Sequence, residues 1–475
     1  MALFSRSTPL ARPYSPVRLM RTWSKIGVPL VADFWTQVLK ESAEEFLTDQ
    51  PVRPWQIQGV APTGDTRRSP VIDAATAAAM DAASIRGFFG LDRCPRQAVR
   101  LPGDAAAGDV LRTVPVTVLG TPKVIRRCAA TRFDYVTRDD RGELIPAGAV
   151  VVRPEKTPAR KRPLVAVAPS TQGVAPHCDP SRSCQVGVRV SSQPVDAVIA
   201  YELPVILALL AKGMDVVFID YPRDPATGIQ LYANHTAAGR ALIDAVVAAG
   251  QLGIDPDVPV GLWGFSQGGG ATAWVTDHGE ETAAINVAAA FTGAPPCDLL
   301  EVGASVDGGA ATGVLCYAMA ALIATRPDVR AALLPELSPT GIAKLRASIS
   351  TCAGGTVVTA GWRPTTSWSN DGRSLAELAL DIEPVRAALS AQTLGGGTPR
   401  WPVLVATARH DDVIPAAQVR RLVRAWKATG AEVVFHDNRL PGIPLRTASN
   451  HFVPYYLMLP AFVDWLAARL AAAGR

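Results

Sequence analysis

A glycine-flanked serine lies where an apolar, strand-like run meets a helix-like run of small residues. The pentapeptide Gly-Phe-Ser-Gln-Gly occupies residues 264–268, between Pro-Val-Gly-Leu-Trp and Gly-Gly-Ala-Thr-Ala-Trp. A turn from a strand into a helix forces the serine into a strained conformation, and the flanking glycines let neighbouring backbones approach closely. The hydroxyl of Ser266 then lies at a helix N-terminus, where the dipole favours a developing negative charge. This context favours a nucleophilic serine over an ordinary tight turn with a surface serine.

Strand-like runs alternate with helical patterns from residue 164 to the C-terminus. The predicted strands lie at 164–168, 215–220, 258–264, 285–291, 403–406 and 432–436. The predicted helices lie at 195–211, 237–249, 267–277, 416–429 and 453–473. A β-hairpin is predicted at 131–152 because alternating residues flank an Asp-Arg-Gly turn. Strands separated by helices predict an α/β fold, a mostly parallel sheet with helices on both faces.

One connection is far longer than the others. About a hundred residues separate the strands ending near 293 and beginning near 403, where a typical connection needs only a few residues beyond its helix. Helices are predicted within it at 312–325, 327–334, 340–350 and 374–389. We therefore predict a helical insertion, residues 298–397, over one end of the sheet; an independent domain is the alternative. Residues 128–297 and 398–475 form the predicted core. Residues 1–127 form an irregular N-terminal segment with short helices at 34–46 and 73–85.

Composition and charge exclude several classes of protein. Hydrophobic residues make up 48% of the chain and charged residues 19%, which excludes a wholly disordered chain. The net charge of +5 comes without a basic run interleaved with aromatics, so nucleic-acid binding is not expected. Glycines interrupt the uncharged stretches at 258–276 and 308–325, so no transmembrane segment is expected. The seven cysteines contain no Cys-x-x-Cys, and neither a metal nor a cofactor is expected.

A serine nucleophile needs a base, and four downstream histidines compete for that role. In this fold class the chain order is serine, acid, histidine. His278 lies about three turns along the helix that Ser266 opens, and His410 and His436 lie at the end of strands. His451 follows the last strand and precedes the C-terminal helix, so it is the predicted base.

The acid is expected at the carboxyl end of the preceding strand. Asp411 and Asp412 both lie in that turn. Asp411 is favoured because it stands four residues before Pro415, in an Asp-x-x-Val/Ile-Pro pattern. Either carboxylate could accept the Nδ1 proton of the histidine and fix its tautomer. The other aspartate is expected to cap the helix at 416–429.

An oxyanion hole needs two backbone N–H groups. Gln267, directly after the serine, is the first expected donor. The loop after the strand at 164–168 reads Pro-Ser-Thr-Gln-Gly, and Gln172 is the second expected donor, with Thr171 and Gly173 as alternatives.

Five segments together resemble the secretory lipases, a group of α/β-hydrolases that includes fungal lipase A and many actinobacterial relatives. They are Ala-Val-Ala-Pro-Ser-Thr-Gln-Gly at 166–173, Cys-Asp-Pro-Ser-Arg at 178–182, Leu-Ala-Lys-Gly-Met-Asp-Val-Val-Phe-Ile-Asp-Tyr at 210–221, Gly-Phe-Ser-Gln-Gly-Gly-Gly at 264–270, and Gly-Ala-Pro-Pro-Cys-Asp-Leu at 293–299. The resemblance runs from about Arg132 to the C-terminus. It implies a Ser-Asp-His triad, hydrolysis of carboxylic esters such as triacylglycerols, and a helical lid.

The resemblance also carries expectations about cross-links and location. Family members pair a cysteine near position 178 with one in the lid, which implies Cys178 with Cys352; Cys178 with Cys184 is the rival pairing. Secretion is implied as well. No signal peptide is legible in the first 40 residues, so a cytoplasmic location stays open.

The function predicted from these features is that of a serine esterase or lipase working through an acyl-enzyme. An acyltransferase or peptidase using the same triad is an alternative, as is a non-catalytic binding protein of the same fold. Apolar side chains of the insertion, Leu322 and Met319 among them, are expected to bind the acyl chain, because burying each methylene is worth roughly 0.8 kcal/mol. The expected partner is a lipid or small ester, and transient contact with a lipid interface is compatible with it.

Overall fold

The fold is built on a nine-stranded sheet whose central part is parallel. The computed structural model of the protein describes residues 72–91, 99–118, 128–154, 162–192 and 195–474. The strands in these residues are β1 (Val110–Val116), β2 (Cys128–Arg138), β3 (Leu144–Pro154), β4 (Leu164–Ala168), β5 (Val188–Ser192), β6 (Val195–Ile199), β7 (Asp215–Asp220), β8 (Val260–Phe265), β9 (Val287–Gly293), β10 (Val403–Ala408) and β11 (Val433–Asn438).

Helices connect most of these strands. The α-helices are α1 (Ala74–Ala79), α2 (Ala82–Phe88), α3 (Pro180–Val186), α4 (Leu203–Ala211), α5 (His235–Gln251), α6 (Gln267–Asp277), α7 (Leu299–Val306), α8 (Val314–Thr325), α9 (Pro327–Leu333), α10 (Pro339–Ile349), α11 (Ala353–Ala360), α12 (Leu375–Asp381), α13 (Glu383–Ser390), α14 (Ala416–Ala428) and α15 (Ser449–Ala473). Short 3₁₀ turns lie at Pro176–Cys178, Gly279–Thr282, Ala310–Gly313, Leu334–Glu336 and Thr365–Trp368.

The sheet order brings six loops to the same end of the sheet. The strands run β1-β2-β3-β7-β4-β8-β9-β10-β11, antiparallel as far as β7 and parallel from there on. Phe265 pairs with Gly293, and Gly293 with Ala406, so the carboxyl ends of β8, β9 and β10 are level. Sites in such sheets form outside the carboxyl ends of the strands. The loops after β4, β7, β8, β9, β10 and β11 therefore lie at this end of the sheet.

Helices cover both faces of the sheet, as the sequence pattern predicts. A Cβ placed on Gly261 would lie 3.1 Å from Leu466 of α15, whereas one on Gly264 would lie 2.0 Å from the backbone of Gly268 in α6. These two strand positions are three residues apart and therefore point to opposite faces. The strands β4, β7 and β8 are buried along their whole length, which explains why they read as apolar runs.

The sheet begins earlier than the predicted core. β1 pairs antiparallel with β2, so residues 110–116 belong to the sheet and not to a separate N-terminal segment. Four consecutive residues of β1 are exposed, and Pro115 interrupts it, both features of an edge strand. The predicted helix at 73–85 is present as α1 and α2, whose N-caps are Asp73 and Asp81. The helix predicted at 34–46 lies outside the described residues.

The predicted helix at 195–211 is wrong over its first part. Its first five residues form β6, which pairs antiparallel with β5 in a separate two-stranded sheet. The helix, α4, begins at Leu203, with Pro204 in its first turn. Proline is favoured in that turn because its missing N–H has no intrahelical partner there.

The helical insertion contains seven of the α-helices, α7 to α13. The predicted helix at 374–389 is two helices, α12 and α13, separated at Ile382, which has an extended backbone two residues before Pro384. Two helices were not predicted: α7, which Asp298 caps, and α11, which begins after Cys352. Arg330 of α9 donates to the carbonyl groups of Ala77 (2.8 Å) and Met80 (3.1 Å), so α1 packs on the insertion.

The C-terminal helix α15 begins four residues earlier than predicted. It packs against β8, β9 and β10, with Phe462, Trp465 and Leu466 buried. Among the described helices it is the one whose length and apolar composition alone would allow it to cross a bilayer. A buried core helix meets the same criterion.

Candidate active site

Ser266 occupies the sharp turn between β8 and α6. Its backbone has φ 58° and ψ −119°, which non-glycine residues rarely adopt and which costs on the order of 1–3 kcal/mol. Its N–H donates to the carbonyl of Gly293 at 2.9 Å. A Cβ on Gly268 would lie 1.8 Å from the carbonyl oxygen of Ala168, and one on Gly269 would lie 2.2 Å from that of Gly293. The glycines therefore allow the backbone crossing that holds the serine in this conformation.

His451 and Asp411 form a buried pair. Nδ1 of His451 lies 2.7 Å from Oδ2 of Asp411, and each side chain is 1% exposed. The other carboxylate oxygen accepts the N–H groups of Val413 (2.9 Å) and Ile414 (2.8 Å), which fixes the carboxylate. Because a carboxylate accepts, Nδ1 carries the proton and Nε2 is left with its lone pair. Within the described residues, Nε2 is buried and has no hydrogen-bond partner.

Packing also fixes the imidazole ring. The ring of Phe265, the residue before the serine, lies 4.5 Å from the His451 ring between centroids. His451 lies in the first turn of α15 rather than in the preceding loop where the sequence places it. Ser266 and His451 line the same cavity, so the structure brings the three predicted triad residues to one site.

Asp412 has a different role from the predicted one. It does not cap α14, whose N-cap is Pro415 and has no side-chain hydrogen bond. Its Oδ2 instead accepts the N–H of Ala448 at 3.0 Å. Ala448 has a positive φ of 63° and lies three residues before His451. Burial raises the pKa of Asp412, and the Asp411 carboxylate beside it adds to the rise. Asp412 therefore anchors the end of the loop that leads into α15, whose first turn contains His451.

The other candidate histidines lie elsewhere. Nδ1 of His278 donates to the carbonyl of Trp274 at 2.9 Å, and the His278 ring stacks on the indole of Trp274; His410 is exposed. His436 lies on β11 beside a small cavity behind the His451–Asp411 pair, and burial lowers its pKa. A fifth histidine, His235, lines the main cavity and lies upstream of the serine, where the expected chain order gives no reason to look.

Of the residues expected to supply the oxyanion donors, Gln267 and Thr171 line the cavity, whereas Gln172 does not. Gln267 lines the cavity at the first position of α6. Thr171 lines it as well, and its hydroxyl lies 2.9 Å from that of Tyr232. Gln172 does not line it: its side chain accepts from Ser183, and its carbonyl accepts the N–H of Ala353 at 2.9 Å. Thr171, which the sequence analysis gave as an alternative to Gln172, is therefore the residue of this loop that lines the same cavity as Ser266.

A buried carboxylate holds the start of the same loop. Oε1 of Glu202 accepts the N–H of Ser170 at 2.6 Å and also the Ser170 hydroxyl. Burial raises the pKa of Glu202 above its ordinary value. Nothing in the local sequence indicates this contact, because 32 residues separate its two partners.

The cavity that Ser266 and His451 line is apolar and has a volume of about 330 Å³. Most of its wall comes from the helical insertion, in particular from α7, α8 and α11. The lining residues from these helices are Leu299, Leu300, Val302, Gly303, Val306, Val314, Leu315, Tyr317, Ala318, Met319, Ala353, Thr356 and Val357. Met319 thus lies where an acyl-binding residue is expected, whereas Leu322, three residues on, lies outside the lining and is half-buried.

A disulfide joins Cys178 to Cys352 across a sequence separation of 174 residues. It connects the loop after β4 to the N-terminus of α11 in the insertion. Cys184, the rival partner, is a buried free thiol whose pKa burial raises well above its ordinary value.

Solved structures of similar fold define the class of the protein. Candida antarctica lipase A in its closed state has a TM-score of 0.62 and 21% identity, covering 73% of this chain and 80% of its own. A rice cell wall degrading esterase from Xanthomonas oryzae has a TM-score of 0.58 and 16% identity, covering 76% and 97%. At these identities the likeness concerns the fold, and it confirms the predicted α/β-hydrolase architecture.

Sequence comparisons then give the family. The family model described as secretory lipase matches residues 188–474, more than half of the chain. The chain belongs to the secretory lipase family, within the class of carboxylic ester hydrolases, which confirms the resemblance found in the sequence.

Individual relatives are distant and carry different names. A protein named probable inactive lipase from Mycobacterium tuberculosis is 25% identical over 77% of this chain and 79% of its own length. Lipase A from Arthroderma benhamiae is 26% identical over 62% of this chain and 61% of its own length. A trichothecene C-3 esterase from Fusarium sporotrichioides is 25% identical over 54% and 57%. The chain thus spans about three fifths of the length of these fungal relatives.

Proposed function

We propose that the protein hydrolyses carboxylic esters through a Ser266 acyl-enzyme, with His451 as base and Asp411 as its orienting acid. One observation carries the proposal. Nε2 of His451 is buried without a hydrogen-bond partner among the described residues, while Nδ1 of the same ring lies 2.7 Å from the carboxylate of Asp411. His451 and Ser266 line the same cavity. A base must have a free lone pair within reach of the proton it takes.

In the proposed acylation, the hydroxyl oxygen of Ser266 attacks the ester carbonyl while its proton passes to Nε2 of His451. The imidazolium is stabilised by the carboxylate of Asp411, which itself stays unprotonated. Collapse of the tetrahedral intermediate expels the alcohol, which takes the proton from Nε2. Water then attacks the carbonyl of the acyl-enzyme while one of its protons passes to Nε2 of His451. Nε2 returns that proton to the oxygen of Ser266 as the acid leaves.

The negative charge of the intermediate needs preorganised donors. We propose the N–H of Gln267, at the N-terminus of α6, as the first donor. We propose the loop after β4 as the source of the second, from residues 171–172. The hydroxyl of Thr171, held by Tyr232, is placed to assist them, and the buried Glu202 fixes the base of the loop through Ser170.

The apolar cavity supports an ester with a hydrocarbon acyl chain, as in triacylglycerols. Met319 and its neighbours on α7, α8 and α11 would surround the chain, and the described residues that line the cavity include no Asp, Glu, Lys or Arg. Because most of this wall belongs to the helical insertion, we propose that the insertion serves as a lid. Solved neighbours and relatives named as lipases are consistent with such substrates.

An exposed apolar rim supports contact with a lipid surface. Leu445 is 77% exposed and Trp362 50% exposed, and the indole N–H of Trp362 donates to the Leu445 carbonyl at 2.7 Å. Both have positive φ, as do Arg446 and Ala448 in the same loop. Trp362 and Ala448 also line the cavity, so the rim lies at its mouth. We propose that this rim touches the lipid interface.

Vesicle binding tests the rim. Leu445→Ser is expected to weaken co-sedimentation with phospholipid vesicles. Val114→Ser, at an equally apolar and 41% exposed position on the opposite edge of the sheet, is the control and is expected to have no effect. Equal binding by the two variants would remove the rim from the proposal.

The catalytic proposal is tested by hydrolysis of p-nitrophenyl butyrate. Ser266→Ala is expected to lower kcat by at least about 10⁴-fold with the fold intact. Ser367→Ala, an exposed serine outside the cavity, is the matched control. An amide substrate and an added alcohol distinguish the peptidase and acyltransferase alternatives; dominant ester hydrolysis in their presence would remove both.

A second candidate, a non-catalytic protein of the same fold, is favoured by one observation: the Mycobacterium tuberculosis relative is named an inactive lipase. The intact pairing of His451 with Asp411 beside Ser266 argues against it. We also propose that the protein is secreted, on the strength of its family and of a disulfide that is favoured in oxidising compartments.

A further inference from the structure

Four metal-ligand side chains from three separate segments meet away from the triad. His177 and Cys178 lie in the 3₁₀ turn after β4, Asp196 on β6, and Cys352 at the N-cap of α11. One ligand atom from each lies within 4.8 Å of all the others. Cys178, Asp196 and Cys352 are buried, and the side chain of His177 is 22% exposed. We call these four residues the Cys-His-Asp cluster.

The disulfide leaves the rest of the cluster with unused capacity. Nε2 of His177 lies 2.9 Å from Oδ2 of Asp196 and donates to it. Nδ1 of the same ring is buried and has no partner among the described residues. A disulfide by itself needs neither an imidazole nor a carboxylate beside it. Two thiolates, an imidazole nitrogen and a carboxylate oxygen, by contrast, are a donor set that Zn²⁺ binds tetrahedrally.

The cross-link in the cluster holds the loop that borders the catalytic serine. The N–H of Ala353 donates to the carbonyl of Gln172 at 2.9 Å, and a Cβ on Gly173 would lie 2.6 Å from Cα of Cys352. The carboxylate of Asp196 also accepts the N–H of Cys352 at 2.9 Å. The N-terminus of α11 is therefore in direct contact with residues 172 and 173.

We propose that the Cys-His-Asp cluster is a zinc site when its two cysteines are reduced, so that a metal replaces the disulfide in closing the same contact. A dithiol reductant transfers two electrons and two protons to the disulfide; it becomes a cyclic disulfide, and Cys178 and Cys352 become thiols. Zn²⁺ then binds both sulfurs, one nitrogen of His177 and one oxygen of Asp196, and the two thiol protons pass to solvent. The fold would keep its cross-link in a reducing compartment, where disulfides do not persist.

Metal binding by the full-length protein tests this directly. The protein is reduced with dithiothreitol, freed of metal with a chelator, and transferred to anaerobic buffer without either reagent. Zn²⁺ titration is expected to show one tight site per chain. Co²⁺ in place of Zn²⁺ is expected to give the visible spectrum of a tetrahedral thiolate complex. The double variant Cys178→Ser/Cys352→Ser keeps the other cysteines and is expected to lose both signals.

His177→Ala separates the metal site from the disulfide. Oxidised His177→Ala is expected to form the disulfide and keep its ester hydrolysis, whereas the reduced variant is expected to bind Zn²⁺ at least about tenfold more weakly than reduced wild type. Zn²⁺ is also expected to raise the Tm of reduced wild type and not that of the reduced double variant. Binding of Zn²⁺ by reduced wild type no tighter than by the double variant would overturn the proposal. Equal affinity in His177→Ala, or a reduced protein that Zn²⁺ does not stabilise, would also overturn it.

Discussion

Gly268→Ala places one methyl group where the backbone at the start of α6 crosses closest to the backbone at the end of β4. Its Cβ would lie 1.8 Å from the carbonyl oxygen of Ala168, where real Cβ contacts essentially never fall below 3.0 Å, so the two backbones must separate by at least 1.2 Å. The contacted atom is backbone and cannot rotate away. A misplacement of about 1 Å can cost about 100-fold in rate. The separation moves α6 and the Gln267 N–H away from the loop after β4.

We therefore expect Gly268→Ala to lower kcat for p-nitrophenyl butyrate by about 100-fold and to destabilise the fold by about 1–3 kcal/mol. Gly250→Ala is the matched control, since a Cβ there meets nothing within 4 Å in the last turn of α5. It is expected to leave kcat unchanged and to stabilise the helix by roughly 0.5–1 kcal/mol. Steady-state kinetics and urea unfolding measure both. A Gly268→Ala enzyme whose kcat is within twofold of the wild-type value would show that the close backbone approach at Gly268 does not position the Gln267 N–H.

Three further predictions follow from the site and the cavity. Asp411→Asn is expected to lower kcat by about 10⁴-fold, because the amide no longer fixes the histidine tautomer; Asp412→Asn, whose amide oxygen can still accept the Ala448 N–H, is expected to lose less than about tenfold. Met319→Trp is expected to lower kcat/KM for laurate esters more than for butyrate esters, whereas Leu322→Trp, outside the cavity lining, is expected to leave that ratio unchanged. Burial lowers the pKa of His235 from 6.5 to about 4, so between these pH values the unfolded state binds more protons than the folded state. The free energy of unfolding is therefore expected to fall by about 3 kcal/mol as the pH drops from 6.5 to 4. In urea unfolding, His235→Gln should show a smaller change in that free energy over this range; a change equal to that of wild type would contradict the assignment.

Four strands of the parallel part, β4, β7, β8 and β10, were predictable because they are buried along their whole length and read as apolar runs. The same reasoning could not find β1, an exposed edge strand interrupted by Pro115. It also assigned residues 195–199 to a helix, because their pairing with β5 depends on a partner that their own pattern does not reveal. The local pattern therefore predicted the fully buried strands, and it missed β1 and β6, which are exposed or partly buried and are held by strand pairing.

The site shows the same division. Ser266 as the candidate nucleophile follows from the local strand-to-helix pattern, and the chain order of the proposed triad follows from the fold class. The role of Asp412 does not, because the N–H it accepts belongs to Ala448, 36 residues away. Met319 and Leu322 are both apolar residues of α8, and only the packing of that helix decides which of them lines the cavity. The Cys-His-Asp cluster was not predictable either, since its ligands come from three segments without any metal-binding spacing.

Covalent labelling tests whether Ser266 is an activated nucleophile. A fluorophosphonate reacts with a serine only when a base activates it and donors stabilise the charge that develops. We expect one label per chain, located on Ser266 by mass spectrometry of the digested protein, absent in Ser266→Ala and formed far more slowly in Asp411→Asn. A folded wild-type protein that takes no label, or takes it at another residue, would show that Ser266 is not an activated nucleophile.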